Sequence, residues 1–531
     1  MLLAAVLAAG AGTMTVELAA VRLLAPWFGA SAGVWTNVIG VVLLALALGY
    51  LLGARLSSGP RPAHRLATLL LAAAVCAAVL PALAAPVAKV FMPTGVPLHE
   101  AAELLVWGSL AATAVLFLPA AVLLGAVGPL AVEATQRAHG GGAGRAGGRV
   151  LALSTVGSLV GTFGTTHVLI PSLGVRATFL VAAGALFLAG AAVGLAQRRA
   201  ASVGGGLVLM ALANGLAYHP PGAREGETEL AAVDSPYQRL RVIESGAGDE
   251  RMRQLRVNES LDSFQSVWSP KAGLLPPGHY YDHFALPLAF EGADGPPAKW
   301  RVLILGLGAG TTVRVLEGVV DAATQLDIVG IEIDPVVLAL GEAHFDLRPG
   351  PGREYIGGLD ARVALALTQG EFDQVVLDAY ANNMEIPPHL ATREFFGAVA
   401  RVLRPGGWLT ANVGGFGAED PVVSAVSGTA ASALGVPVQL ARVPFSRNVT
   451  LLARISGDVP TPGSAGWRFA PGLDELRPAL EVPGAWSTVR PGSETERRED
   501  TPPVLTDDLC PLDWLQLRSI REARERWLAR S

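Results

Sequence analysis

The stretch "VLILGLGAGTT", residues 302–312, is an apolar run that ends in alternating glycines. A short apolar run of this kind reads as a buried strand. The glycines after it allow a tight turn in which the backbone approaches a ligand closely. The neighbouring segments share the rhythm. "TTVRVLEGVV" reads as a helix, "QLDIVGIEID" as a strand, and "PVVLALGEAHF" as a helix with proline in its first turn. "EYIGGLDA" and "FDQVVLDAY" read as further strands, "TREFFGAVARVL" as a helix ended by "RPGG", and "WLTANVGG" as a fifth strand. "VQLARVP" and "VTLLARIS" read as a closing antiparallel pair. Alternating strands and helices imply an α/β doubly wound, Rossmann-like domain whose site lies at the strand C-termini.

Carboxylates stand at three of those termini. Glu332 ends the second strand, 22 residues beyond Gly310, where it can accept ribose hydroxyls. Asp360 ends the third and can read an adenine amino group. Asp378 ends the fourth and faces the reacting centre. Gly306, Gly308 and Gly310 are followed by Thr311, without the later glycine of the dinucleotide pattern. That favours a cofactor of the S-adenosylmethionine type, which has no pyrophosphate, over NAD.

Upstream the composition changes. Residues 1–220 hold 11 Lys/Arg against 4 Asp/Glu, and residues 221–531 hold 29 against 41. An acidic half does not suggest nucleic acid and tolerates small cationic substrates. Two cysteines build neither a disulfide framework nor a cysteine metal site, and no metal is expected. A hydrocarbon core of ~30 Å needs ~20 apolar helical residues. Six stretches qualify: 2–24, 34–54, 66–91, 104–132, 150–171 and 175–196. Basic residues gather in alternate loops: Arg55, Arg61 and Arg65; Arg137, Arg145 and Arg149; then Arg198 and Arg199. The positive-inside rule puts those loops and the N-terminus in the cytoplasm. Glu17 and Arg22, in the first stretch, read as an ion pair between helices or as a polar path for a cationic ligand. A glycine-rich stretch at 203–218 decides the side of the catalytic half. Its 16 residues give ~24 Å of helix, short of the core, so it reads as interfacial or re-entrant. The organisation is thus a multi-pass membrane bundle over 1–218, a linker at 219–228, a small β subdomain at 229–298, the Rossmann-like domain at 299–456 and a C-terminal extension at 457–531.

Over about 233–415 the chain resembles the spermidine synthase (polyamine aminopropyltransferase) family. The likeness is carried by "SPYQRLRV", "NESLDSFQS", "YYDHFALPLAF", "LILGLGAGTT", "VGIEIDP", "LDARVAL" and "VVLDAY". "ELAAVRLLAPWFGAS", "GRVLALSTVGSLVGTF" and "LTDDLCPLDWL" are similar to segments of bacterial membrane-bound members. The resemblance implies decarboxylated S-adenosylmethionine as donor and a small amine as acceptor. It implies that Gln265 contacts the cofactor, that Glu332 binds its ribose, and that Asp360 and Ala361 line its adenine end. Asp378 would be the catalytic carboxylate, with Asp282, Tyr380, Asp507 and Asp508 toward the substrate. The chain departs from the pattern at three places. Soluble members carry aspartates where this chain has Ala309 and Ala381, and a histidine where it has Leu286. Glu385, Asp507 or Asp508 can stand in for a missing carboxylate. Three functions are therefore weighed: aminopropyl transfer, methyl transfer from intact S-adenosylmethionine, and a transporter or sensor that binds a nucleoside or polyamine without turnover. The bilayer and a small amine are the expected partners, nucleic acid is not, and a homo-oligomer is left open.

Overall fold

The computed structural model of the chain describes residues 1–28, 32–93, 104–140, 142–198, 200–215, 223–257, 264–275, 279–380, 386–444, 446–491 and 504–528. Arg199, Ala381 and Glu385 lie outside the described residues. The chain divides into two compact units. One is built on Met1–Gly222 with Ala232–Leu240, the other on Ala223–Ala231, Arg241–Val257 and the chain from Asp262 onward.

The first unit is helical: α1 (Leu2–Phe28), α2 (Ala32–Ser57), α3 (Pro62–Phe91), α4 (Ser109–His139), α5 (Ala143–Gly164), α6 (Ile170–Ala196) and α7 (Ala200–Gly215). Five helical runs are long and apolar enough to cross a membrane. The fifth, Ala143–Ala196, has 54 residues and contains both the fifth and sixth expected stretches. A straight helix of that length would reach ~81 Å. It is broken instead, by a wide π-type turn at Thr165–Leu169 and by Gly174 at φ 77°. Helix α7 has 16 residues, and residues 216–218 of the stretch expected at 203–218 lie outside the described residues.

Without a solvent-driven apolar effect between helices in lipid, close backbone contact and hydrogen bonds hold such bundles together. Both are present. Thr165 donates to Thr15 at 2.9 Å in a buried contact, and Asn37 donates to the Val106 carbonyl at 2.8 Å. A Cβ at Gly161 would stand 2.4 Å from the Ala11 carbonyl oxygen, so α1 and α5 approach as closely as they do only because that position lacks a side chain. Gly147, on the same helix, has open space around it. Gly161→Ala is expected to cost about 1–3 kcal/mol by overpacking. Gly147→Ala should cost nothing, since alanine favours helix by about 0.5–1 kcal/mol. Thermal melts of the two variants in detergent check the contrast; equal behaviour would contradict the packing assigned to Gly161.

The second unit carries the expected alternation. Strands β1 (Glu227–Asp234), β2 (Arg239–Ser245), β3 (Met252–Val257) and β4 (Phe264–Trp268) form a small sheet in sequential order. The main sheet has eight strands: β5 (Lys299–Leu305), β6 (Gln325–Glu332), β7 (Arg353–Gly357), β8 (Phe372–Leu377), β9 (Leu403–Gly414), β10 (Val438–Arg442), β11 (Asn448–Arg454) and β12 (Trp486–Val489). Their spatial order is β12-β10-β11-β9-β8-β5-β6-β7. Strands β5 to β9 pair in parallel, while β11 runs antiparallel to both β9 and β10. The closing pair expected from sequence therefore forms with β11 inserted beside β9. "RPGG", expected to end a helix, lies inside β9.

Period-two alternation in β5 feeds two cores. Val302 and Ile304 join a cluster with Phe284, Leu316 and Trp408, while Leu303 and Leu305 join one with Phe395, Phe396 and Val399. A strand buried on both faces must be apolar throughout, which is why "VLIL" has no polar interruption. The strand order reverses at β5, whose neighbours are β6 on one side and β8 on the other. The crevice beyond the C-terminal ends of β5 and β8 is the position where such sheets bind ligands.

Candidate active site

The glycine turn closes over that crevice. Gly306 has φ 88°, and a Cβ there would lie 2.4 Å from the Asp378 carbonyl oxygen. The Asp378 amide in turn donates to Leu305 O at 2.9 Å, so the last residue of β5 registers the start of the loop after β8. Gly308 has φ 56° and donates its N–H to Glu332 Oε2 at 2.9 Å. Gly310 caps the helix Thr311–Val319, and Ala309 donates its N–H to Ser266 Oγ at 2.8 Å.

Two carboxylates flank this turn. Glu332 Oε1 accepts the Asp334 N–H at 3.1 Å while Oε2 holds the Gly308 N–H. Burial pushes the Glu332 carboxyl up to about 7, against the pull of those N–H groups. Asp378 accepts from Tyr280 Oη at 3.1 Å and from Asn412 Nδ2 at 2.9 Å. Behind Asn412, Asn448 Nδ2 donates to Asn412 Oδ1 at 2.6 Å, and Ser446 Oγ donates to Asn448 Oδ1 at 2.7 Å. The three side chains form one chain of donors that ends on the carboxylate. Burial raises Asp378 to about 7, the Asn412 and Tyr280 bonds lower it, and the Glu332 charge raises it again. Tyr380 Oη donates to the Asn412 carbonyl at 2.9 Å and accepts the Gly414 N–H at 2.7 Å. Burial, then the Asp378 charge, holds its hydroxyl protonated.

The other expected residues take distinct places. Asp360 caps the helix Ala361–Leu367, accepting the N–H of Arg362 at 2.9 Å, and His389 Nε2 lies 2.9 Å from its other oxygen. Gln265 lies in β4, its carbonyl accepting Tyr281 Oη at 2.7 Å. Asp282 is buried, accepts the Leu275 N–H at 3.0 Å, and is pushed up to about 7 by that burial. Asp507 is held in a two-point pair by Arg362 and accepts from Thr392 Oγ1 at 2.8 Å. Asp508 is exposed beside it. Leu286 is buried in the core and starts a short helix, Leu286–Glu291.

Sequence reasoning missed Tyr280, Asn412, Asn448 and His389. It also passed over His279 and His283, which stand four residues apart as metal ligands on a helix often do. Here His283 Nδ1 bonds Thr450 Oγ1 at 2.8 Å and burial lowers it to about 4, while the His279 ring packs on Phe264 at 5.6 Å. Among the described residues no group of three His, Cys, Asp or Glu is placed to hold a metal.

The raised Asp378 carboxyl has a consequence for stability. Between its ordinary value and about 7, the folded chain keeps a proton that the unfolded chain has lost, so stability falls as pH rises through that window. The wild type should lose stability relative to Asp378→Asn from pH 5 to 7, by at most about 1.4 kcal/mol per pH unit. Above pH 8 the difference should level off. Paired melts across this range test it; a constant difference would show that Asp378 titrates as an exposed aspartate.

Parallel strands reversing at β5, a glycine turn and carboxylates at the strand ends define a Rossmann-like domain of the methyltransferase and spermidine synthase type. No family model matches the chain. It is 29% identical over 305 residues to a probable polyamine aminopropyl transferase of Bifidobacterium longum, covering 55% of this chain and 64% of that protein. It is 38% identical over 119 residues to a polyamine aminopropyltransferase of Vibrio vulnificus, covering 22% of this chain and 38% of that protein. The matches thus span less than two thirds of either relative. The crystal structure of a probable spermidine synthase from Corynebacterium glutamicum aligns with 52% of this chain and 100% of its own, at 16% identity and a TM-score of 0.38. In these stretches the chain is similar to the polyamine aminopropyltransferases, the spermidine synthase family.

Proposed function

We propose that this protein is a membrane-anchored aminopropyltransferase that moves an aminopropyl group from decarboxylated S-adenosylmethionine to a small amine. The observation that carries the reading is Asp378: a half-buried carboxylate at the strand-order switch, fed by a chain of donors and set beside a glycine turn. The donor substrate supplies a carbon activated by a neighbouring sulfonium. Glu332 keeps lone pairs beyond its two backbone bonds, as a ribose-binding carboxylate requires. Asp360 and Ala361 lie toward the purine end, and Gln265 toward the donor from β4. Asp378 orients the attacking amine and takes its proton as the C–N bond forms and the C–S bond breaks. A carboxylate near 7 suits that task, because a general base works best when its pKa lies close to the working pH. Tyr280 and Asn412 fix the carboxylate, and Tyr380 braces the end of β9.

A second reading has its own support. Ala309 is fully buried and spends its N–H on Ser266, so it presents no charge to the donor. Nothing at that position repels the carboxylate of intact S-adenosylmethionine, which would make the reaction a methyl transfer. Calorimetry of the full chain in nanodiscs with the two donors decides. Tighter binding of the decarboxylated form supports aminopropyl transfer, tighter binding of the intact form supports methyl transfer, and binding of neither leaves the transporter or sensor. Asp378→Asn is expected to reduce turnover by about a hundredfold or more, the scale of general-base loss, while sparing donor affinity. Glu332→Gln should do the reverse, weakening donor binding by about 1–3 kcal/mol as a buried acceptor is lost. A parallel loss of both properties in either variant would contradict the division of roles.

Five apolar runs support anchoring in a membrane, and the break at Gly174 supports two crossings within the fifth. With basic residues on alternate loops and α7 too short to cross, the catalytic half lies in the cytoplasm, where S-adenosylmethionine is made. A C-terminal tag should resist added protease in right-side-out vesicles until the membrane is lysed. Cleavage in intact vesicles would place that half outside.

A further inference from the structure

We propose that the acceptor is an amine whose far end carries a carboxylate, and that Arg447 is the residue that selects it over a diamine. The proposal rests on the donor-binding reading above and adds to it the chemical class of the second substrate.

The order of the sheet divides the site. The glycine turn follows β5, Glu332 ends β6 and Asp360 follows β7, so the groups assigned to the donor lie on one side of β8. Strands β9 and β11 lie on the other side, and Asp378 stands between. With the donor over β5 to β7, an amine held by Asp378 extends over β9 and β11. The chain offers that amine little negative charge there. Asp378 is followed by six residues without an acid. Beyond β9, Glu419 is exposed and Asp420 is buried. Asp420 caps the helix Pro421–Leu434, accepting the N–H of Val422 at 2.9 Å and of Phe416 at 3.0 Å, and it also accepts from Ser519 Oγ. Asp507 is committed to Arg362, on the helix that follows β7.

A cation stands at that edge instead. Arg447 immediately precedes β11, and its carbonyl accepts the Gly415 N–H at 2.7 Å, which ties it to the chain leaving β9. Asn448, the next residue, faces Gly414 and is two hydrogen bonds from Asp378. The Arg447 guanidinium carbon lies 4.4 Å from the centre of the Phe416 ring, an aromatic face that favours a cation. Its charge is felt at the Tyr380 hydroxyl, which bridges Asn412 and Gly414. Burial lowers the guanidinium from its ordinary value, and the Asp420 and then the Tyr380 charge pull it back. An arginine is nonetheless charged at any working pH. Arg447 is half-buried, and a carboxylate in a two-point pair offsets the desolvation of such a group. A second ammonium in the same place meets a like charge. The carboxylate takes no part in the transfer. The neutral amine nitrogen forms the C–N bond, its proton passes to Asp378, and the C–S electron pair leaves on the sulfur.

The test is steady-state transfer by the full chain in nanodiscs, with the donor that the calorimetry above selects. The acceptors are 1,4-diaminobutane and 5-aminopentanoate, which share one methylene chain and differ in the charge at the far end. The wild type should favour 5-aminopentanoate by about tenfold or more in kcat/KM, since one far end is attracted and the other repelled. Arg447→Gln should abolish that preference, raising KM for 5-aminopentanoate by about tenfold and leaving donor affinity unchanged. Where the glutamine variant does not fold, Arg447→Lys should keep the direction of the preference and lose about threefold of its size, because the charge remains and the fork does not. A wild type that favours the diamine, or that binds donor and uses neither amine, overturns the proposal and leaves donor binding standing. Full preference retained in Arg447→Gln, or in Arg447→Lys where that variant serves, overturns it as well. A wild type that binds neither donor removes the reading beneath it and this proposal together.

Discussion

The backbone of Gly306 passes so near the carbonyl of Asp378 that no side chain fits between them. That contact sets the geometry of the catalytic half. It requires β5 and β8 to be direct neighbours, which the sheet achieves only by sending the chain out to β7 and back across β5. Once the strands abut, Glu332 and Asp378 stand on either side of the same turn. Glu332 is buried, Asp378 is half-buried, and both are raised to about 7. The charge of Glu332 reaches Asp378, so the two carboxylates do not titrate as independent groups.

Three side chains spend their hydrogen bonds on holding Asp378 in place. Asn448 fixes which way the Asn412 amide faces, and Asn412 then presents N–H and not C=O to the carboxylate. An amide alone could flip; two amides in series, ended by Ser446, could do so only together. Asn412 and Asn448 lie on the antiparallel pair β9 and β11, near the end of that ladder, where Asn448 faces Gly414. The inserted antiparallel strand thus helps to hold Asp378 and does more than close the sheet.

What the sequence discloses about this site follows the range over which each signal acts. A glycine turn after an apolar strand, and an acid at a strand's end, are local patterns readable within ten residues. Gly306, Gly308, Gly310, Glu332, Asp360 and Asp378 all fall at the strand ends where their spacing puts them. Tyr280 reaches Asp378 from 98 residues away and Asn412 from 34, and no local pattern records either approach. The insertion of β11 between β9 and β10 is equally non-local, since two hydrophobic strands read alike whichever is central. In the helical half, apolarity marks the runs but not the place where Ala143–Ala196 breaks, because one glycine among many gives no sign that its φ is positive.

The two-point pair between Arg362 and Asp507 joins residues 145 apart in sequence. At about 5–20 residues per second of synthesis, the arginine exists for roughly seven to thirty seconds before its partner is made. By then the apolar helices have long left the ribosome, and the parallel strands are already available to pair. The parallel strands are complete by Gly414, so they can pair before Asp507 is made and the clamp can close only afterwards. A ribosome paused between these residues would hold a chain whose apolar helices are complete and whose Arg362–Asp507 clamp does not yet exist.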